Sequence, residues 1–228
     1  ITVGNHVFNS AYSIKPIYNI GGVVGGAELG KLTMTDVVNH GTITGFQTSS
    51  TITLATGYTS VEIRLGGVIG YINNSLNNIN ELVNVSNDGD IYVQSVAYSV
   101  GVPSYQYVGG VFGKQGGLAP VLELNDEYKF ANLYNSGDIY HTYAANTAIV
   151  RAAGIGVNNT TAAVEYALLF NHGTFYYTEG AATYTQTQFK YVSLIFDISS
   201  YAVTLSRSYN YGDLTYDSNI YYDISGLY

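Results

Sequence analysis

Aspartates recur at one position of the chain, and their carboxylates are the first candidates for chemistry. Asp90, Asp138 and Asp213 each follow the glycine of an Asn-x-Gly turn. Ca²⁺ takes about six to eight oxygen ligands, so a column of stacked carboxylates is a candidate calcium site. Two other copies of the turn carry Thr42 and Thr174 instead, and the calcium-binding nonapeptide of other solenoids is absent. We therefore predict turn aspartates and no metal site.

Histidine is the second candidate, because imidazole is a common zinc ligand. His40 and His172 occupy one equivalent slot, between the Asn and the Gly of the turn. In the other copies this slot holds Asp88, Ser136 and Tyr211. A slot that accepts such different residues is typical of a solvated turn tip, and the two histidines belong to units separated by two others. The sequence therefore does not indicate a zinc site.

Hydrolysis of a glycoside needs two carboxyl groups at a set separation. The acidic residues considered for this role are Glu62, Glu81, Asp126, Glu127 and Glu165. None of them has a distinguishing sequence context, no Ser-His-Asp arrangement stands out, and no glycine-rich stretch is followed by the Lys-Ser/Thr of a phosphate-binding loop. We therefore predict that the chain is not an enzyme and holds no cofactor.

A row of tyrosines is the better lead to a function. Tyr92, Tyr140 and Tyr176 lie at one phase of the repeat, and Tyr combines a flat apolar face with a polar tip that suits contact with a sugar or a protein. The simpler interpretation is that these rings stabilise the sheet by cross-strand stacking. Under the binding hypothesis, replacing Tyr140 by Ser should alter binding more than folding.

These residues are positioned by a repeat, Asn-x-Gly-(Asp/Thr)-(Ile/Leu/Phe), which occurs five times. The Asn and Gly positions are Asn39, Gly41, Asn87, Gly89, Asn135, Gly137, Asn171, Gly173, Asn210 and Gly212. Asn and Gly tolerate left-handed backbone geometry, so the pair predicts a turn between strands. Equivalent Asn side chains of stacked units would also form a hydrogen-bonded ladder. We interpret all ten residues as structural.

A glycine-rich apolar box precedes each turn in the same phase. The boxes cover residues 21–25, 66–70, 109–113, 152–156 and 192–196, and the last keeps only the hydrophobicity. The unit is therefore 40 to 45 residues long. Glycine pairs at a fixed phase indicate that backbone passes close to backbone. The apolar residues of the boxes, Val23, Val68, Val111 and Gly154 with Ile155, are expected to face a shared core.

The rest of the unit reads as β-structure. After each turn, residues alternate with a period of two. The inward positions are Ile43, Ile91, Ile139, Phe175 and Leu214, and the outward positions are Thr44, Tyr92, Tyr140, Tyr176 and Thr215. Only one short helix, at 76–83, is a candidate. The sequence predicts an all-β stack of about five units, one domain over residues 1–228 and a fragment of a longer repeat array.

Charge excludes some classes of partner. The net charge is −8, from 8 basic and 16 acidic residues, and the bases are scattered singly. Binding to a phosphate backbone or to an anionic membrane needs clustered positive charge, so we expect neither nucleic acid nor a membrane surface as partner. No run reaches the roughly 18 apolar residues of a membrane helix, so this fragment is not expected to insert into a membrane.

Two segments resemble a known repeat. Residues 109–113 followed by 130–139, and residues 66–70 followed by 83–91, are similar to the GLUG-type repeat of bacterial surface and secreted proteins. The resemblance covers about four units and fades towards the C-terminus. It implies a right-handed parallel β-helix, or β-solenoid, within a large cell-surface or secreted protein. The units here are longer than that compact repeat, which leaves open whether each is one large coil or a coil with an excursion.

The functional expectation is an extracellular structural or adhesive segment of a bacterial surface protein. It would act as a rigid shaft with a tyrosine-lined face for a glycan, a host surface protein or a neighbouring surface protein, and its ends would contact further repeats. The alternative is a polysaccharide-active β-helix enzyme, or the carbohydrate-binding portion of one.

Overall fold

The protein is described here by a computed structural model. It describes residues 2–3, 17–28, 30–45, 61–74, 80–94, 104–117, 130–143, 148–160, 164–179, 190–193, 196–198, 203–217 and 223–225. Within these ranges the structure is all-β, as predicted. The prediction of a short helix at 76–83 is wrong for residues 81–83, which lie in a strand. Residues 76–79 lie outside the described part. None of the described segments forms a helix that could cross a membrane.

The strands are short and follow one another around the coil. In chain order they are β1 (Thr2–Val3), β2 (Ile17–Gly21), β3 (Val24–Ala27), β4 (Thr33–Asn39), β5 (Ile43–Gly45), β6 (Val61–Gly66), β7 (Ile69–Asn74), β8 (Glu81–Asn87), β9 (Ile91–Gln94), β10 (Ser104–Gly109), β11 (Phe112–Gly117), β12 (Phe130–Asn135), β13 (Ile139–Tyr143), β14 (Ala148–Ala153), β15 (Gly156–Thr160), β16 (Val164–Asn171), β17 (Phe175–Glu179), β18 (Lys190–Ser193), β19 (Phe196–Ile198), β20 (Val203–Ser206), β21 (Tyr209–Asn210), β22 (Leu214–Asp217) and β23 (Asp223–Ser225).

The strands form four parallel sheets, which we number 1 to 4. Sheet 1 is β1-β5-β9-β13-β17-β22, sheet 2 is β2-β6-β10-β14-β18-β23, sheet 3 is β3-β7-β11-β15-β19, and sheet 4 is β4-β8-β12-β16-β20, with β21 also paired to β16. The chain passes through sheets 2, 3, 4 and 1 in turn and then returns to sheet 2 one position further along. The described strands of each repeat unit therefore trace one coil of a parallel β-helix. The right-handed sense of the coil stays a prediction.

The interior holds two hydrophobic clusters. One contains residues of sheets 1 and 2, such as Ile63, Leu65 and Ile91, and the other contains residues of sheets 3 and 4, such as Phe112 and Leu133. Inward alternation is therefore confirmed: the positions at 43, 91, 139 and 175 are at most 2% exposed, and the one at 214 is half-buried.

Three of the box residues expected in the core are there, since Val68, Val111 and Ile155 are fully buried, and Gly154 is buried as well. The expectation is wrong for Val23, which is 50% exposed. The box at 21–25 has a described neighbouring box on one side only, so nothing described covers this side chain.

The glycine boxes form the corner between sheets 2 and 3, opposite the Asn-x-Gly corner between sheets 4 and 1. A Cβ atom added to Gly22 would lie 2.7 Å from Cγ of Asn39, and one added to Gly67 or Gly110 would overlap the next box and the Asn side chain of its own coil. The two corners thus touch across the interior and separate the two clusters. This contact requires glycine because a side chain would occupy the same space.

Sheet 4 carries a further repeated feature, a column of residues in left-handed backbone conformation. Its members are Asp36, Asn84, Asn132, Leu168 and Arg207, with φ between 50° and 57°. Each stands three residues before the Asn of the turn. Asp and Asn adopt this conformation more readily than other L-residues, and the first three members form an outer ladder: Asn132 donates to Asn84, and Asn84 donates to Asp36, each at 2.7 Å.

Candidate functional site

The five turn asparagines form one continuous ladder. The side-chain amide of each of the first four donates to the Oδ1 of the Asn in the next coil, at 2.8 to 2.9 Å. All five amides also donate to the carbonyl of the Gly two residues later in their own turn, at 2.7 to 2.9 Å. The first four are buried, and Asn210 is half-buried. The amides therefore join every coil to the next and close every turn.

The turn glycines are required for a different reason from the one the sequence suggested. A Cβ atom added to Gly89, Gly137, Gly173 or Gly212 would overlap the carbonyl of the equivalent glycine one coil before. None of these turn glycines has a positive φ. Among the described glycines, only Gly117 has one. The expectation of left-handed geometry at these glycines is therefore wrong. Glycine is needed there because the closely stacked coils leave no room for a side chain.

The tyrosine row is a stack along the solenoid axis on sheet 1. Tyr92 and Tyr140 have ring centroids 4.6 Å apart with planes 4° apart, and Tyr140 and Tyr176 are 4.7 Å and 5° apart. Thr44 and Thr215 occupy the same column beyond its two ends. The ring faces therefore cover one another, and the row turns ring edges towards solvent. It does not provide the flat apolar platform that stacking on a sugar ring requires.

The aspartates after the turn glycine also connect coils. Asp90 Oδ1 accepts from the backbone N–H of Asp138 at 3.0 Å, and Asp138 Oδ1 accepts from the backbone N–H of Thr174 at 2.8 Å. The second oxygen of each accepts from the Tyr two residues later, at 3.4 Å from Tyr92 and 3.2 Å from Tyr140. Both oxygens thus have partners within the scaffold. In the part of the chain that the structure describes, no three His, Asp or Glu side chains are placed to hold a metal ion.

Desolvation, together with these carboxylates, makes the phenols of Tyr92 and Tyr140 weaker acids. Desolvation, and secondly the charge of Asp138, raises the pKa of Tyr140 to about 12. Desolvation, and secondly the charge of Asp90, also raises the pKa of Tyr92. Both hydroxyl groups remain hydrogen-bond donors at neutral pH, so they keep their bonds to the aspartates.

The variable slot of the turn is exposed, as its sequence indicated. His40 Nδ1 lies 3.0 Å from Asp88 Oδ2, and Ser136 donates to Asp88 Oδ1 at 3.0 Å. A different histidine is interior: His141 is 1% exposed, lies 3.2 Å from Gln106 Oε1 and stacks on Tyr177 at 5.2 Å. The sequence did not single out His141, although it follows an inward isoleucine by two residues, which is the signal for an inward side chain.

A buried ion cluster lies where the outer faces of sheets 2 and 3 meet. Glu62 Oε1 accepts from Arg64 Nε at 2.6 Å and from Lys114 Nζ at 2.7 Å. Glu62 is 3% exposed, and each cation is 7% exposed. The guanidinium of Arg64 lies 3.6 Å from the ring centroid of Tyr71, and the ammonium of Lys114 lies 4.1 Å from that of Tyr107. Burial, and secondly the charge of Glu62, raises the pKa of Tyr107 to about 12.

This cluster corrects the view that the bases are scattered. Arg64 and Lys114 are distant in sequence but share one carboxylate, and Tyr107 stands in register between Arg64 and Arg151 on sheet 2. The sequence signal was Glu62 and Arg64 at alternate positions between inward Val61, Ile63 and Leu65. Its partner on sheet 3 could not be read from the sequence.

Glu62 and Glu81, the two candidate catalytic carboxylates whose side chains the structure describes, are each paired with cations. Glu62 is held by two cations, and Glu81 Oε1 lies 2.7 Å from Lys31 Nζ. A general acid needs a raised pKa and access to substrate, whereas a carboxylate beside two cations is stabilised as an anion. Residues 126 and 127 lie outside the described part, and only the backbone pairing of Glu165 is described.

A second group of aromatic residues, missed in the sequence, lies at the corner between sheets 4 and 1. We call it the ridge cluster, and its members are Tyr134, Phe170, His172, Tyr209 and Tyr211. Neighbouring rings lie 4.5 to 5.8 Å apart and are tilted by 38° to 79°. Tyr209 is 42% exposed and Tyr211 is 73% exposed. The signal was available, because these positions flank the ladder Asn by one residue on either side.

Comparison of the chain with protein-family models, with curated proteins and with solved structures found no match.

Proposed function

We propose that the chain is a non-enzymatic structural segment of a bacterial extracellular repeat protein, in which the β-helix acts as a stiff shaft at the cell surface. The observation that carries this proposal is the continuous ladder of five asparagines, whose amides hold each coil to the next. The GLUG-type resemblance is the source of the bacterial and surface assignment.

The use of the recurring residues supports a scaffold role. The turn Asn, the turn Gly and the Asp after it each contact the equivalent position one coil away. A residue that is repeated in every unit and bonded to its own copies serves the stack. Catalysis would instead need unrepeated groups that converge on a substrate.

The unrepeated polar groups support the same proposal. The ion cluster around Glu62 pairs its carboxylate with two buried cations, which stabilises the contact between sheets 2 and 3. The stacked rings of the tyrosine row cover one another's faces, and the hydroxyls of Tyr92 and Tyr140 are engaged with aspartates. We therefore assign a structural role to the tyrosine row, and a partner of this row would contact only its ring edges.

The location can be tested on intact cells of the source organism. Antibodies against the purified chain should label unpermeabilised cells, and protease added outside should remove that label. Labelling that appears only after permeabilisation would overturn the extracellular assignment.

The enzymatic alternative can be tested with the purified chain. It should release neither reducing ends nor unsaturated products from a panel of neutral and acidic polysaccharides. Release that Glu62→Gln abolishes, in a variant that is still folded, would replace the structural proposal with the polysaccharide-active one.

A further inference from the structure

We propose that the ridge cluster is a binding site for a neutral polysaccharide. The proposal deepens the proposed function, because it places the adhesive contact of the shaft on these five residues and not on the stacked row of sheet 1.

The cluster is an addition to a frame that does not require it. Tyr134, Phe170 and Tyr209 share one register column of sheet 4, which holds Val38 and Ser86 in the first two coils. The slot column beside it holds His172 and Tyr211 here, but His40, Asp88 and Ser136 in earlier coils. The fold accepts small and polar residues at both columns, so stacking of the coils does not explain five adjoining rings.

The rings of the cluster present faces, unlike those of the row. Tyr209 and Tyr211 meet edge to face at 79°, and His172 is tilted by 55° and 60° to them. A tilted ring covers less of its neighbour's face than a parallel ring does, and Tyr211 is 73% exposed, so ring surface remains open to a ligand. The C–H groups of a pyranose pack against an aromatic face while the hydroxyls of the sugar bond to polar tips, and Tyr and His supply both.

The site is also held in place before any ligand arrives. The backbone N–H of His172 donates to the carbonyl of Asn135 at 2.7 Å, and that of Tyr211 donates to the carbonyl of Asn171 at 2.7 Å. The exposed rings therefore stand on backbone fixed to the previous coil. A preformed site loses less conformational entropy on binding.

Charge selects a neutral ligand. The ridge cluster contains no carboxylate, Lys or Arg, and the exposed charges nearest in sequence, Arg207 and Asp213, are of opposite sign. The chain carries a net charge of −8, which opposes an acidic polysaccharide, a nucleic acid or an anionic membrane. Adjacent rings along the column are separated by about one strand spacing, roughly 4.8 Å, so an extended sugar chain can contact rings of successive coils.

The test is affinity electrophoresis of the purified chain in native gels that contain one soluble polysaccharide each. The neutral probes are amylose, galactomannan and hydroxyethylcellulose, and alginate is the acidic probe. At least one neutral probe should retard the chain, and alginate should not. Tyr209→Ala and Tyr211→Ala should each weaken the apparent affinity by about tenfold or more, as truncation of an aromatic contact residue does.

The matched controls are Val38→Ala and His40→Ala, which change exposed positions of the same two columns in an earlier coil. They should leave retardation within about twofold of the parent chain, because surface changes away from a site have small effects. Urea unfolding of all variants shows that each is folded; Tyr211 is 73% exposed, so its loss should shift the midpoint less than loss of Tyr209, whose ring packs on Phe170.

Several results would overturn the proposal. They are no retardation by any neutral probe, equal retardation of the tyrosine variants, or retardation by alginate alone. A dimer that Tyr211→Ala dissociates, with no retardation, would assign the ridge cluster to protein contact instead. If no neutral polysaccharide retards the chain but intact cells are labelled, the proposed shaft function stands and the binding site is overturned. If only permeabilised cells are labelled, the shaft function is overturned, and a positive gel result remains valid.

Discussion

At the scale of the residue, Asn and Gly of the same turn have separate tasks. The Asn amide makes bonds that a hydrophobic side chain of similar size cannot make, and loss of a buried hydrogen-bonding partner costs about 1–3 kcal/mol. The Gly makes no special bond, but its missing side chain lets the carbonyl of the preceding coil approach. The two residues recur together because a stacked turn needs a hydrogen bond to the next coil and a position without a side chain.

Replacing Gly137 by Ala should therefore destabilise the fold. The added Cβ overlaps the carbonyl of Gly89, which belongs to backbone and cannot move aside. We expect a loss of about 1–3 kcal/mol in the free energy of unfolding, typical of overpacking, measured by urea denaturation.

The matched control is Gly30→Ala, because a Cβ atom there has no atom within 4 Å. Its unfolding midpoint should stay close to that of the parent chain. Equal midpoints for Gly137→Ala and Gly30→Ala would show that the stacked turn tolerates a side chain.

At the scale of the element, residue type alone did not tell how a row of side chains is used. Two aromatic groups lie on this solenoid, one on sheet 1 and one at the corner beside it. Parallel strands in register place identical side chains directly above one another, so the tyrosines of sheet 1 stack with their planes 4° and 5° apart. At the ridge the neighbouring side chains differ in type and the rings are tilted. The first arrangement stabilises a sheet, whereas in the second the rings overlap less and Tyr209 and Tyr211 are exposed.

Tyr140→Ser should therefore affect folding more than binding, the reverse of the expectation from sequence. The change removes two ring contacts and the hydrogen bond to Asp138. An aromatic pair is worth about 0.5–1.5 kcal/mol beyond its buried area, so urea denaturation should show a loss of that order or larger.

Tyr211→Ser is the matched comparison, with the opposite pattern: a nearly unchanged midpoint and weaker retardation by a neutral polysaccharide. If Tyr140→Ser abolished retardation at unchanged stability, the row on sheet 1 would be the contact face after all.

The ion cluster links sheet 2 to sheet 3 through Glu62 and Lys114. Glu62→Gln leaves Arg64 and Lys114, each 7% exposed, without their shared carboxylate. Breaking a buried ion pair on one side costs about 3–5 kcal/mol, and we expect a loss of that size in urea denaturation.

Glu81→Gln is the control for this prediction, because its partner Lys31 has a side chain that is 49% exposed. An exposed pair contributes at most about 1 kcal/mol. A Glu62→Gln variant no less stable than Glu81→Gln would show that the buried cluster does not hold the two sheets together.

At the scale of the whole molecule, each repeat unit contains many residues for the length that it adds along the solenoid axis. One unit of 40 to 45 residues adds a single strand spacing, roughly 4.8 Å, along the axis. Six strands in a sheet therefore span only about 24 Å. Each residue therefore adds little length along the axis, and the described strands enclose two separate hydrophobic clusters. The shaft proposal accordingly favours lateral surface over length.

Stability should fall in alkaline solution. Burial raises the pKa of Tyr107 to about 12 and raises that of fully buried Tyr166 well above the ordinary value of 10.0, and desolvation raises that of Tyr140 to about 12. The folded state therefore holds these protons more tightly than the unfolded state. The contribution of Tyr107 and Tyr140 is complete below pH 10 and is lost as the pH rises through about 12.

Urea unfolding midpoints measured from about pH 8 to 12 test this expectation. Tyr107→Phe keeps the ring beside Lys114 and removes the titrating group, so it should make the alkaline decline shallower. A midpoint that stays constant to the upper end of this range, or a slope that Tyr107→Phe leaves unchanged, would contradict the assignment.

The sequence by itself determined what repeats along one strand or one turn. The spacing of the glycine boxes and turns gave the all-β repeat, the inward positions such as Ile91, and the asparagine ladder. These are local or periodic properties, since a strand alternates every two residues and each unit copies the last.

Only the tertiary structure decided which different positions meet across the coil. Equivalent ladder asparagines are 48, 48, 36 and 39 residues apart, so segments of unequal length lie between fixed corners, and no sequence period relates Glu62 to Lys114 or Asn87 to Gly67. Only the tertiary structure, likewise, showed why the turn needs glycine and how the aromatic rings are oriented. Those depend on how closely one coil approaches the next, which the closed path through four sheets sets.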